Sequence, residues 1–336
     1  MKNRHLLFFS AMTGATSFGS SPSAFGEIVA VNAASTFAAS LAQDISGYLA
    51  ALPSTDESAS LDLIAPPTQT ADFFQFAKAD DLAYLTEADD SDIRAVGANF
   101  KRIQTSGTMV TDATLQKGLT QRVDHRALAR VNGVIVPGWE NRTAASLKNR
   151  LVRSEKVRAL SVIDAAANNT AVNWSASPQT ANPDGDIRHM AERSRIDAGM
   201  PATTLMIGSS AQQARQDAYE AGARTNNTAN HAGYTLQQLA NYAQVKQAFV
   251  ETGVKQQKKG ATKVVTLGNV AYTYSAQQDA SIEDPSNIKR CWSPTMSGGM
   301  WMVFVQENSA WTDITVFHQS KVIIPITLGI EKLTIS

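Results

Sequence analysis

The stretch "GMPATTLMIGSSAQQAR", residues 199–215, decides how this chain is read. Gly199 and Pro201 stop the helix that precedes them, because glycine accepts the left-handed turn at a helix end and proline cannot continue the ladder. The apolar run 203–207 is short and closed by Gly208, which suits a strand buried on both faces. From Ser210 to Gly222 the pattern turns amphipathic, so a new helix begins, with Ser209 or Ser210 as its cap. In many α/β proteins such a join binds an anion on free backbone N–H groups. Here Gly208 lacks the companion glycines and the lysine of a phosphate loop, and the serines read as caps only.

Upstream, Asp184 or Asp186 starts a helix that runs to about Ala198, and the turn-rich "NWSASPQTANPDGD" precedes it. Residues 141–167 form the strongest helical pattern in the chain: Asn141 or Thr143 can cap it, and neither Gly nor Pro interrupts it. At 1.5 Å per residue it spans about 40 Å. Leu147, Leu151, Val157, Leu160 and Ile163 supply apolar contacts, while Lys148, Arg150, Arg153, Lys156 and Arg158 make the helix basic. Glu155 and Asp164 interrupt the basic stripe and no aromatic platform accompanies it, so it reads as a structural helix whose charges meet acidic surface. Downstream of the opening stretch, "RTNNTANHAG" is a polar loop, 234–242 a short helix, and 249–254 and 264–274 are strands. A closing run of strands is expected over 301–305, 311–317 and 322–330, with Pro325 near an edge.

Towards the N-terminus, Phe37, Leu41, Ile45 and Leu49 recur at helical spacing, giving a helix over 34–52 closed by Pro53. After the polar "STDESAS", the segment "LDLIAPPTQTADFFQFAKADD" reads as an extended lead into a strand at 73–77. Residues 86–99 are acidic, with Glu87, Asp89, Asp90 and Asp92 ahead of Arg94. The whole of 73–119 therefore reads as a long two-stranded excursion with a polar tip, which needs a surface to lie against. The clustered carboxylates lack the glycine and bidentate glutamate of a calcium loop and mark a solvated or subunit-facing patch.

The chain has 336 residues, enough for two or three substructures, and its 30 basic residues balance 30 acidic ones. That balance argues against a protein built chiefly to grip nucleic acid and suits a surface that packs against copies of itself. A single cysteine, Cys291, excludes an intrachain disulfide framework and is expected to be a buried thiol. The five histidines are scattered without ligand spacing, so neither a metal nor another cofactor is expected. The leading "MKNRHLLFFSAMTGATSFGSSPSAFGE" has the charged, apolar and small-residue order of a signal peptide, but its apolar core is short and diluted, and it reads as a flexible Ser/Gly-rich arm. No run reaches the ~18 apolar residues of a membrane span, and a soluble protein is expected.

The order of these parts resembles a tailed-bacteriophage major capsid protein of the Hong Kong 97 type. The telling stretches are "IAPPTQTADFFQFAKAD", "NRTAASLKNRLVRSEKVRALSVIDAAANN" and "NPDGDIRHMAERSRIDAGMPATTLMIGSSAQQAR". The resemblance implies an α+β fold and a division into parts: an N-terminal arm over 1–60, an extended loop with its lead-in strand over 61–122, and a peripheral domain over 123–182 carrying the spine helix 141–167. An axial domain over 183–299 with a mixed sheet follows, and strands over 300–336 return to the peripheral domain. It implies a shell protein with no catalytic, cofactor or metal site. Its partners are further copies of itself in hexamers and pentamers, scaffolding, portal and decoration proteins, and packaged double-stranded DNA held without sequence reading; no membrane is involved. Its location is the virion capsid, assembled in the host cytoplasm.

Contact between copies is expected from the acidic tip (Glu87, Asp89, Asp90, Asp92 and Arg94), from Lys101 and Lys117 in the hairpin, and from Arg150, Arg153, Lys156 and Arg158 on the spine helix. The two hairpin lysines do not by themselves establish the lysine–asparagine crosslink of some relatives. Two other readings stand beside this one: an encapsulin-like compartment shell, and a secreted or cytoplasmic α/β enzyme using Ser209 or Asp186 near His189. The last has no Gly-x-Ser-x-Gly elbow.

Overall fold

The computed structural model describes residues 22–52, 55–78, 108–128, 130–131, 134–175, 181–226, 233–256, 258, 260–277, 284, 286–294 and 299–336. Its elements run α1 (Pro22–Ala51), α2 (Asp56–Ile64), β1 (Pro67–Gln69), β2 (Phe73–Lys78), β3 (Thr108–Ala113), β4 (Leu115–Asp124), β5 (Arg130–Val131), β6 (Val134–Ile135), α3 (Trp139–Ala166) and β7 (Asn168–Val172). They continue with α4 (Pro183–Ala198), β8 (Thr204–Gly208), α5 (Ser209–Asn226), α6 (Leu236–Tyr242), β9 (Gln247–Glu251), β10 (Val254–Lys255), β11 (Val264–Val265) and β12 (Val270–Tyr274). The last are β13 (Lys289–Trp292), β14 (Trp301–Glu307), β15 (Trp311–Ile323) and β16 (Glu331–Ile335). The fold is mixed α+β.

Two five-stranded sheets organise these elements. In the first, the long β15 is central: β4 pairs antiparallel along one edge, and β14 and then β13 share the other, with β1 parallel to β13. The second has the order β7-β16-β12-β8-β9, with β7 parallel to β16 and β8 parallel to β9. Its strand β8 is buried along its whole length. Leu205 and Ile207 enter the core beneath α4, α5 and α6, and Met206 enters the core on the opposite side, as the two-residue period of a strand requires.

The helix α3 joins the two sheets. Its first half packs Ala144, Leu147 and Leu151 against Ile45 and Leu49 of α1 and Val303, Ile314 and Val316 of the first sheet. Its second half packs Val152, Ala159, Leu160 and Ile163 against Leu61 and Ile64 of α2 and Met206 and Tyr272 of the second. Each half buries a different apolar stripe, so one rod holds both sheets in register.

The opening stretch folds as its residues dictate. Gly199 ends α4 in the left-handed conformation at φ 68°, and β8 follows Pro201. Gly208 sits where a Cβ would collide with the carbonyl oxygen of Gly268, so only glycine lets the two backbones approach.

Several local expectations are corrected. The helix expected over 34–52 begins at Pro22. Residues 61–64, read as the start of an extended lead, instead close α2, whose N-cap Thr55 accepts from the Ser58 N–H. Neither Asn141 nor Thr143 caps α3, because the helix begins at Trp139; Gly138 is its N-cap, and the Thr143 hydroxyl bonds back to the Trp139 carbonyl. Asn182, rather than Asp184 or Asp186, caps α4, leaving both carboxylates in the first turn for other partners. The expected strand 264–274 breaks at Gly268 into β11 and β12. The closing strands divide: β14 and β15 belong to the first sheet, the expected strand over 322–330 ends with β15 at Ile323, and β16 enters the second sheet. β2 and β3 pair antiparallel from Phe73–Ala113 to Lys78–Thr108, forming the base of the expected excursion. After β3 the chain leaves that ladder, and β4 lies along β15.

Candidate assembly surface and the charges behind it

Of the eleven residues expected to touch a neighbouring copy, Glu87, Asp89, Asp90, Asp92, Arg94 and Lys101 lie outside the described residues, as do the tip of the excursion and residues 1–21 of the arm. The other five are placed, and four of them are committed inside the chain.

Lys117 projects from β4 onto α3, where its Nζ donates to both Glu155 oxygens at 2.9 and 3.0 Å. Arg158 donates to the same carboxylate at 2.7 Å, and the Ser320 hydroxyl donates to it at 2.8 Å. Three partners, on β4, α3 and β15, thus converge on one buried carboxylate. Burial works against the Glu155 charge, but Lys117, Ser320 and Arg158 outweigh it and hold its pKa down at about 2. For Lys117 burial outweighs Glu155 and lowers the ammonium pKa, so the two partners do not gain equally from the pair. His318 faces the same carboxylate, its Nε2 at 4.0 Å and its ring centroid 4.4 Å from that of Trp301. Burial lowers its pKa to about 4, keeping the imidazole neutral at pH 7.

Lys156 is equally internal: its side chain is 4% exposed and its Nζ lies 2.8 Å from Glu251 Oε1. Glu251 also accepts from the Ser60 hydroxyl and the Gly253 N–H, tying α2, α3 and β9 together. Lys117 and Lys156 are thus both paired within their own chain. Arg153 pairs with Glu57 of α2 at 2.5 Å while remaining largely exposed. Arg150 is exposed and makes no ion pair among the described residues.

The internal pairs left a sequence signal that charge counting overlooks. Leu151, Glu155 and Ala159 are spaced at four, as are Val152, Lys156 and Leu160, so each charge sits within an apolar stripe and is buried with it. Arg215 and Asp184 form a third buried pair at 2.6 Å, joining α4 to α5 with no comparable signal. Asp184 lies in a first turn, where its charge reads as a cap.

The residues of the enzyme reading do not converge. Asp186 accepts from the Trp174 indole N–H at 2.9 Å. His189 lines a pocket of about 400 Å³ with Arg188, Glu192, Arg195, Tyr242 and Gln244. The buried Ser209 hydroxyl has no hydrogen-bond partner among the described residues. Cys291 is buried and its thiol is pushed up to about 12 by that burial, which keeps it an inert thiol at pH 7. Among the described residues no three or more His, Cys, Asp or Glu side chains are grouped to hold a metal ion, and no helix is long and apolar enough to cross a membrane.

Several large apolar side chains lie on the surface instead: Phe73 is 77% exposed, Met109 61%, Leu115 54% and Phe304 54%. Phe73 and Met109 stand on the β2–β3 ladder and Leu115 just beyond it.

No protein-family model matches the sequence, and no curated protein matches it. Among solved structures it is similar to a phage-related protein from Bordetella bronchiseptica RB50, at 13% identity and a TM-score of 0.63, covering 87% of this chain and 96% of that one. Weaker likenesses include the capsid of cyanophage P-SCSP1u (10% identity, TM-score 0.46, 81% and 86% covered) and a virus-like particle from Pyrococcus furiosus (12%, 0.45, 82% and 96%). The first alone bears on architecture: over most of its length this chain shares the fold of the Bordetella phage-related protein.

Proposed function

We propose that this chain is a major capsid protein of the Hong Kong 97 type, which self-assembles into the icosahedral head shell around the genome of a tailed double-stranded DNA phage. The observation that carries the reading is the sharing of fold with a phage-related protein over 87% of the chain. The arrangement of parts supports it: a 28-residue helix bridging two sheets, and a β2–β3 ladder whose exposed apolar side chains include Phe73 and Met109. Exposed large apolar side chains on an excursion suit contact with another copy. On this reading 1–60 acts as the arm, 61–122 as the extended loop, 123–182 with 300–336 as the peripheral domain and 183–299 as the axial domain. The second sheet draws β7 and β16 from outside 183–299, so the axial and peripheral parts share a sheet.

Hexamers and pentamers of the chain are the assembly units, with scaffolding, portal and decoration proteins as further partners. The product is the virion capsid, built in the host cytoplasm. The shell has no catalytic role. Glu87, Asp89, Asp90, Asp92, Arg94 and Lys101 are the contacts offered to a neighbouring copy. Negative-stain microscopy of the expressed chain tests the proposal: closed shells or capsomers support it, and a monodisperse small monomer under all assembly conditions overturns it. Particles that contain DNA distinguish a phage head from an encapsulin-like compartment, whose particles would be empty or filled with enzyme.

A further inference from the structure

A groove of about 910 Å³ runs between the outer face of α3 and the β10–β11 hairpin. Among the described residues six cationic side chains line it, Arg150, Arg153, Lys156, Arg158, Lys255 and Lys263, against the single carboxylate of Glu57. The chain as a whole is neutral, so this concentration is local. The hairpin contributes to it through Lys255 and Lys263, which fall in a stretch without Asp or Glu between Glu251 and Asp279. Lys156 is neutralised by Glu251, whereas the side chains of Arg153 and Arg158 stay 60% and 48% exposed beside their partners. Arg150, Lys255 and Lys263 make no ion pair among the described residues. Like charges gathered without counter-charge repel one another, and an anion relieves that repulsion.

The lining selects among anions. The space exceeds a single phosphate group, and its cations come from two separate elements, so the ligand carries several charges in a row. Among the described residues no aromatic side chain lines the groove, so they offer unpaired bases nothing to stack on. Among the described residues Val157 and Val254 are its only apolar side chains, and they form no deep apolar pocket to anchor a peptide side chain. We propose that this groove is a sequence-independent site for the sugar–phosphate backbone of double-stranded nucleic acid, with Arg150, Lys255 and Lys263 as its phosphate contacts. The duplex as occupant rests on the capsid reading; the polyanion chemistry of the groove does not.

The test is fluorescence anisotropy of a mixed-sequence DNA duplex with the full chain at 50 and 200 mM salt. Three phosphate contacts contribute a log–log salt slope of roughly −2.7, or about a 40-fold loss of affinity over that range. The variant Arg150→Gln/Lys255→Gln/Lys263→Gln should lose that contribution, and Lys263→Gln alone should reduce the slope by roughly 0.9 with the fold intact by circular dichroism. Lys246→Gln, an exposed lysine that does not line the groove, should bind as the parent does. Unchanged binding and salt slope in both groove variants overturn the proposal. So does a tenfold preference for one duplex sequence, or tighter binding of a peptide of residues 80–92 that is lost in the triple variant, which assigns the groove to an acidic polypeptide. Shell formation is scored separately: its failure in the parent chain counts against the capsid reading, while the anisotropy still decides the groove.

Discussion

Replacing Glu155 with Gln keeps the side-chain shape and removes the charge on which Lys117, Arg158 and Ser320 converge. Its folded pKa of about 2 stands against an ordinary value of 4.5. That difference corresponds to about 3 kcal/mol of stability at pH 7. The sign follows from the depressed value: the contribution is fully present above the unfolded pKa and is lost as pH falls through the folded one. Lys117 reduces the net figure, because its lowered pKa makes burial of the ammonium a cost. The Gln variant in turn leaves that ammonium enclosed beside a neutral partner, and breaking a buried pair on one side costs ~3–5 kcal/mol. We expect a loss of about 2–4 kcal/mol in urea unfolding of the unassembled subunit at pH 7. The difference should shrink from pH 4.5 downward as the parent carboxylate takes up its proton. Lys117→Met in the Gln background should recover part of the loss by removing the stranded charge. A variant within about 0.5 kcal/mol of the parent at pH 7, where most surface substitutions fall, would refute the reasoning. A loss of equal size at pH 3 would do the same.

His318, whose pKa falls from 6.5 to about 4 on folding, binds its proton more readily in the unfolded chain, so stability should decline as pH drops through that window. His318→Leu should flatten that limb of a pH–stability curve, and an unchanged limb would show that other groups produce it. Leu151→Pro removes a hydrogen bond and inserts a clash midway along α3, costing about 3 kcal/mol or more; the sheets should lose their common support, and normal particle yield by microscopy would count against it. Changing Asp89, Asp90 and Asp92 together to Lys should leave the subunit folded but make shell formation weak or salt-sensitive, read by light scattering at two ionic strengths. Assembly identical to the parent at both would remove the acidic stretch from the contact between copies.

Much of the architecture was legible in local pattern. The Gly199–Pro201 stop, the apolar run before Gly208 and the amphipathic residues after it specify helix, strand and helix, because backbone freedom and side-chain period act within a few residues. The uninterrupted 141–167 pattern gave α3 to within two residues at either end for the same reason. What local pattern left undecided was where each strand goes. Residues 311–317 and 322–330 read as two strands, but that 311–323 would form the centre of one sheet while 331–335 joins the other depends on pairings with residues more than a hundred positions away. The same holds for charge. By itself, the sequence showed a basic helix; the tertiary structure decided that Lys117 and Lys156 are enclosed and that Arg150 opens into a groove with Lys255 and Lys263. A charge is classified by what lies opposite it, and α2, β4, β9 and the β10–β11 hairpin reach α3 only when the chain has folded.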